Sequence, residues 1–261
     1  MGALHFDPLY SLAGVAVGIL VGLTGVGGGS LMTPLLVLAF GFHPATAVGT
    51  DLLYASATKA VGTAVHGFSG TVDWKVVRRM AAGSVPATLL TLGALGYAGT
   101  HLEGTGSVIT VTLGLALIAT AIAMIFRTRI VAFYAGAIDA MTDRQVRNLT
   151  VALGAVLGVL VSLSSVGAGA LGMTALLILY PRLPTNRLVG SDIAHAVPLT
   201  LLAGIGHWAM GSVDVGLLLS LLAGSIPGIV IGSLVSARVP DRLLRGVLAG
   251  TLAIVGGKLV F

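Results

Sequence analysis

Thr24-Gly25-Val26-Gly27-Gly28-Gly29-Ser30 and Ser164-Ser165-Val166-Gly167-Ala168-Gly169 interrupt two long apolar runs, and both have the chemistry of an anion site. Glycine lets backbone approach a ligand closely. A helix starting just after each break, near Ser30 and near Ala170, presents unpaired first-turn N–H groups at the positive end of its dipole. Thr24, Ser30, Thr33, Ser164, Ser165 and Thr174 add hydroxyl donors. The candidate binding residues are therefore Thr24, Gly25, Gly27, Gly28, Gly29, Ser30, Thr33, Ser164, Ser165, Gly167 and Gly169. Glycine in lipid also serves tight helix packing, and that is the reading for the Gly14, Gly18 and Gly22 ladder and for Gly224, Gly228 and Gly232.

Lys59 joins that set as a lone cation far inside an apolar stretch. At 100° per residue it shares one helical stripe with Asp51, Tyr54, Thr58, Gly62 and His66, so it faces protein and not lipid. An ammonium at the bilayer centre costs about 2.5 to 3.5 kcal/mol on the lenient scale. Either a substrate anion or an ion pair with Asp51 or Asp192 offsets that. Asp51 and Asp192 sit a few residues inside helix starts, where carboxylates cap amides. His66 and His207 end their spans, with an interfacial hydrogen-bonding role or proton coupling as the two readings. Asp51, Asp192, His66 and His207 are thus proton-coupling or structural candidates.

Several classes fall away. Cysteine is absent, which removes disulfides, thiolate metal sites and thiol nucleophiles; no metal site and no cofactor is expected. There is no Gly-Lys-Ser/Thr phosphate loop, so nucleotide-driven pumping is not expected. One conceivable hydrolytic pair is Ser30 with His66 or His207, but Ser30 lacks the small following residue of a tight nucleophile turn, so no enzyme activity is expected. The pI of about 10.0 comes from arginines in short loops and reports topology, not nucleic-acid binding.

These residues are positioned by a duplication. His66, Gly70, Val72, Asp73, Gly83, Ser84 and Pro86 recur as His207, Gly211, Val213, Asp214, Gly224, Ser225 and Pro227, displaced by 141 residues. Val48-Gly49-Thr50-Asp51 recurs as Val189-Gly190-Ser191-Asp192, and the two breaks align with a slip to 140. So long a period means a duplicated bundle. Of 261 residues 56% are hydrophobic and 9% charged, and mean hydropathy is +1.04. Apolar runs of about twenty residues recur, the length of a transmembrane helix. The start carries Asp7 and no Lys or Arg, unlike a cleavable signal peptide.

Eight apolar segments run over 8–40, 46–66, 76–97, 107–126, 149–180, 188–207, 215–237 and 243–261. The first of each set of four is broken centrally, with arms of about 13 to 17 residues, too short to span comfortably. Lys75, Arg78 and Arg79 follow the second segment; in the other half Arg182 and Arg187 follow the broken segment and Arg238, Arg242 and Arg245 follow the third. Positive loops stay cytoplasmic, so equivalent loops lie on opposite sides. The expected fold is an all-α integral membrane protein of two inverted four-segment repeats, each a broken re-entrant hairpin plus three transmembrane helices. Repeat 1 covers 1–126, a cytoplasmic connector 127–148, and repeat 2 149–261. Paired full crossings in place of hairpins are the alternative. Irregular backbone at membrane depth must line a cavity, and two opposed helix termini at the midplane suit an inverted-repeat transporter.

The chain resembles the sulfite exporter TauE/SafE family of bacterial membrane transporters. The resemblance rests on Gly25-Val-Gly-Gly-Gly-Ser-Leu with Pro34 downstream, on His43-Pro44-Ala45-Thr46-Ala47-Val48-Gly49-Thr50, and on the paired Gly83-Ser-Val-Pro86 and Gly224-Ser-Ile-Pro227. Ala168 and Ala170 depart from the glycine-rich pattern. The resemblance implies a multi-pass inner-membrane secondary transporter that exports sulfur oxyanions or organosulfonates such as sulfite or sulfoacetate. Its partners would be a small anionic substrate and the lipid bilayer, with no nucleic acid. An anion channel and a proton-coupled carrier for another small anion are the alternatives.

Overall fold

The computed structural model describes residues 7–24, 29–68, 72–101, 105–139, 141–235 and 241–260, and among these it contains helices and no strand. In order they are α1 (Pro8–Thr24), α2 (Gly29–Leu38), α3 (Pro44–Phe68), α4 (Trp74–His101), α5 (Thr105–Asp139), α6 (Asp143–Ser164), α7 (Ala170–Leu179), α8 (Thr185–Ala209), α9 (Val215–Val235) and α10 (Asp241–Val260). Five stretches of described residues are long and apolar enough to cross a membrane, within α4, α5, α6, α8 and α9. The protein is therefore membrane-embedded, because exposed side chains such as Leu90, Leu115, Val156 and Ile226 need hydrocarbon around them. Trp74 and Trp208 lie exposed at helix ends, where the amphipathic indole prefers the headgroup boundary.

The two halves are interlaced. α1 packs on α9 and α4 packs on α6, each pair running parallel with backbones in contact. A Cβ on Gly18 would come within 2.6 Å of the Ser225 carbonyl oxygen, and one on Gly158 would come equally close to that of Ser84. Gly224, Gly228 and Gly232 face Ser11, Val15 and Ile19 in the same way. The packing reading of the glycine ladders therefore holds at Gly14, Gly18, Gly224, Gly228 and Gly232, and the physical reason is close backbone approach where no solvent drives association.

Equivalent helices meet head to tail. α3 packs on α8 and α5 on α10. As the chain ascends α3 through Gly49, Leu53 and Ser56, it meets His207, Gly204 and then Val197. In the other pair Gly114 meets Leu259 and Val260, while Leu117 and Ile118 meet Gly256.

Each broken segment folds back on itself. Tyr10, at the start of α1, stacks edge-on against Phe40 and Phe42 beyond the end of α2, with ring centroids 5.2 and 5.6 Å apart. At the matching place in the second half, the Thr150 and Tyr180 hydroxyls are 2.8 Å apart. Both ends of each α–break–α unit therefore emerge side by side.

Two expectations change. The arms are unequal: α1 has 17 residues and α6 has 22, whereas α2 and α7 have 10 each. α6 starts at Asp143 because Thr142 and Gln145 form a capping box, which carries the helix through Arg144 and Arg147, where hydropathy alone ends it. α5 continues through Arg127 and Arg129 to Asp139, so much of the stretch 127–148 is helical.

Candidate functional site

The second break is built by its own side chains. Ser165 turns left-handed (φ 58°) and returns its N–H to the Val161 carbonyl at 2.8 Å, ending α6. Ser164 Oγ donates to Leu160 O at 2.6 Å and accepts the Val166 N–H at 3.2 Å. Gly167 follows at φ 120°, a conformation L side chains rarely adopt. The Gly169 N–H then reaches back to Gly167 O, and α7 begins at Ala170 with no side chain capping it. Ser164 thus supports the turn itself. Thr174 does not face the break as a donor either, because its hydroxyl returns to the Ala170 carbonyl at 2.6 Å. Ser165 Oγ is buried beside Asp51 and has no other partner.

The first break, with Gly25, Gly27 and Gly28, lies outside the described residues, as do the side chains of Thr24, Ser30 and His66. Gly29 opens α2, and Thr33 lies one turn further on. Its hydroxyl donates to Asp51 Oδ2 on α3.

Lys59 reaches across from α3 to the other repeat. Its Nζ donates to the Ala168 carbonyl, in the middle of the second break, at 3.4 Å. The ammonium lies within electrostatic range of Asp192 and Asp51 but forms a direct ion pair with neither. Of the two readings of Lys59, a paired carboxylate is not what holds it.

The aspartates are not helix caps. Asp51 is the eighth residue of α3 and is wholly buried; Oδ2 takes the Thr33 bond, Oδ1 has no partner, and Ser165 lies beside it. Asp192 faces α7, where a methyl on Gly172 would sit 2.6 Å from its Oδ1. Each carboxylate therefore points at the second arm of its own repeat's hairpin. The caps are made instead by Asp73 and Asp214. Asp73 Oδ1 accepts the Lys75 N–H at 2.9 Å and Asp214 Oδ1 accepts the Leu217 N–H at 2.9 Å. Their own N–H groups bond across the repeats, Asp73 to Ser191 Oγ at 2.8 Å and Asp214 to Thr50 Oγ1 at 3.0 Å.

His207 lies in the last turn of α8 and is buried against neighbouring helices. Its Nε2 donates to Ser162 O at 2.9 Å, since a carbonyl oxygen only accepts. It also borders a cavity of about 490 Å³ lined with His43, Leu95, Met210 and Ser212. His195 Nε2 and Ser84 Oγ lie 2.8 Å apart, and at the equivalent positions Tyr54 lies beside Ser225. The recurrent Gly-Ser-x-Pro was the available signal for this second pairing. No sequence signal marked Gly172, or the Arg79 contacts with Asp143 (2.7 Å) and Tyr180 (3.3 Å) that join α4 to both arms of the second hairpin.

Duplicated breaks, a reaching lysine and paired buried carboxylates run the length of the chain, and so does the family match. The family model described as sulfite exporter TauE/SafE aligns with residues 10–259. The chain belongs to this family. Among relatives of this TauE/SafE chain, the probable membrane transporter protein YjnA of Bacillus subtilis is 40% identical over 250 residues, which cover 95% of this chain and 98% of that protein. The probable membrane transporter protein YdhB of the same organism is 27% identical over 246 residues, 94% and 96% of the two chains. MJ0441 of Methanocaldococcus jannaschii, also a probable membrane transporter protein, is 23% identical over 272 residues, 95% and 93%. No solved structure matches.

Proposed function

We propose that this TauE/SafE transporter is a secondary carrier that exports sulfur oxyanions or organosulfonates across the bacterial inner membrane by alternating access. The observation that carries the reading is the Lys59 ammonium held at the carbonyl of the second break without a carboxylate bonded to it. That cation is poised beside the start of α7, where no side chain caps the helix, the Gly172 N–H turns back to Gly167 O, and the positive end of the dipole favours negative charge. The family's printed name, sulfite exporter, supports the substrate class.

The architecture proposed is a pair of inverted repeats, each with a re-entrant hairpin. It is supported by the head-to-tail run of α3 against α8 and by the adjoining ends of α1–α2 and α6–α7. A two-fold axis in the membrane plane reverses a helix relative to its equivalent, whereas an axis along the normal leaves the two parallel. α2 and α7, each about 15 Å long at 1.5 Å per residue, reach only half-way through hydrocarbon. Rocking of one repeat on the other would expose the site alternately. Outward flow is favoured because each exported negative charge gains about 2.3 kcal/mol per 100 mV.

The test is flux of labelled sulfite and sulfoacetate from proteoliposomes. Lys59→Met is expected to abolish it while the purified protein keeps its helical content; undiminished flux removes Lys59 from the site. Unitary current steps in single-channel recording would replace the carrier by a channel.

A further inference from the structure

Lys59 stands between two buried carboxylates before any substrate arrives. Among the described residues around the second break, Lys59 lies within electrostatic range of both Asp51 and Asp192, and Arg127 within range of Asp192. A site meant for an anion alone would hold surplus positive charge. Here an anion that engages Lys59 draws that cation away from Asp51 and leaves a buried carboxylate less compensated, which is unfavourable.

The surroundings of Asp51 show where compensation goes. Its Oδ1 and the Ser165 hydroxyl are both buried and close enough to interact with each other, and neither has any other partner. Thr33 Oγ1 donates to Oδ2 and keeps its lone pairs. That is an all-oxygen cradle at the junction of α2, α3 and the break after α6. The titratable groups within reach of Asp51 are Tyr54 and Lys59 on α3 itself; Lys59 in turn reaches Asp192 and His195 on α8, Arg127 on α5 reaches Asp192, and the Asp214 N–H before α9 bonds Thr50, the neighbour of Asp51. α2 and α6 bring only hydroxyls to it.

We propose that Asp51, with Thr33 and Ser165, binds one small monovalent cation, a proton or sodium, together with the substrate anion, so that the two cross the membrane as a pair. This deepens the anion-carrier reading and rests on it. A dianion travelling with one such cation still carries net negative charge outward, so the membrane potential continues to favour export. By linkage, the cation must raise affinity for the anion as much as the anion raises affinity for the cation.

The experiment is a binding titration of the purified full chain in detergent with sulfoacetate, whose two acid groups are both ionised near neutrality. Sodium is exchanged for choline at constant ionic strength, and pH is varied with proton uptake counted. Sodium as the cation predicts affinity about tenfold higher in sodium than in choline at one pH. A proton predicts no sodium effect, an affinity that rises as pH falls, and about one proton taken up per anion bound. Asp51→Asn keeps an acceptor for Thr33 and is expected to bind sulfoacetate with neither dependence. Wild-type affinity indifferent to both sodium and pH overturns the proposal, as does a dependence that persists in Asp51→Asn. The wild-type titration decides the matter by itself if that variant does not fold. Absence of any anion binding, a distinct result, would overturn the carrier reading and this proposal with it.

Discussion

Ser56 Oγ donates to the carbonyl of Val197 at 3.4 Å, and the two residues are 141 positions apart, one full repeat. Equivalent points of the two halves thus touch each other where α3 crosses α8. Close to that crossing the break of the second half meets Lys59 of the first, so the proposed site is assembled from both repeats.

The proposed opposed orientation of the repeats makes a labelling prediction. The chain has no cysteine, so introduced thiols report without background. Lys75→Cys is expected to react with a membrane-impermeant maleimide only from the cytoplasmic side, and Ser212→Cys only from the other. Labelling of both from the same side in intact cells would contradict inversion.

Gly228→Ala is expected to loosen the α1–α9 pair. The added methyl would meet the Val15 carbonyl oxygen at 2.5 Å, and backbone cannot step aside as a side chain does. Overpacking of this kind costs about 1 to 3 kcal/mol, read as a lower midpoint of thermal unfolding in detergent. The same change at Gly250, which has nothing near it, should leave the midpoint unchanged.

Ser84→Ala strands a buried imidazole nitrogen, because Ser84 is the partner of His195 Nε2. The expected loss is about 1 to 3 kcal/mol. Ser84→Ala combined with His195→Phe should cost less than the two single changes added together, and a double-mutant cycle measures the difference. Strict additivity would mean that the pair contributes nothing.

Gly172→Ala places a methyl 2.6 Å from Asp192 Oδ1. Either the carboxylate rotates away or α7 shifts, and both disturb the break beside Lys59. Flux per folded molecule is expected to fall at least about tenfold, beyond any loss of folded protein. Normal flux would show that Asp192 is free to move without consequence.

Much of this was legible along the chain. Hydropathy and charge are local properties, so the apolar segments, both breaks, the repeat offset and the stripe from Asp51 to Lys59 all follow from residue order. Even the true start of α6 was written in Thr142 and Gln145; hydropathy hid it, because Arg144 and Arg147 are helical yet charged.

What residue order leaves open is which faces meet. Helical periodicity says that Lys59 and Asp51 turn inward, but equally well allows them to pair; only the rotation and crossing of α3 against α8 and the second break put the ammonium at Ala168 O and Asp51 at Thr33. The same holds for Asp192 against Gly172, His195 against Ser84, and the exchange of partners that sets α1 on α9 and α6 on α4. Contacts between helices depend on crossing angle, depth and axial rotation. These are set by the packing of all the described helices together and not by the spacing within any one of them.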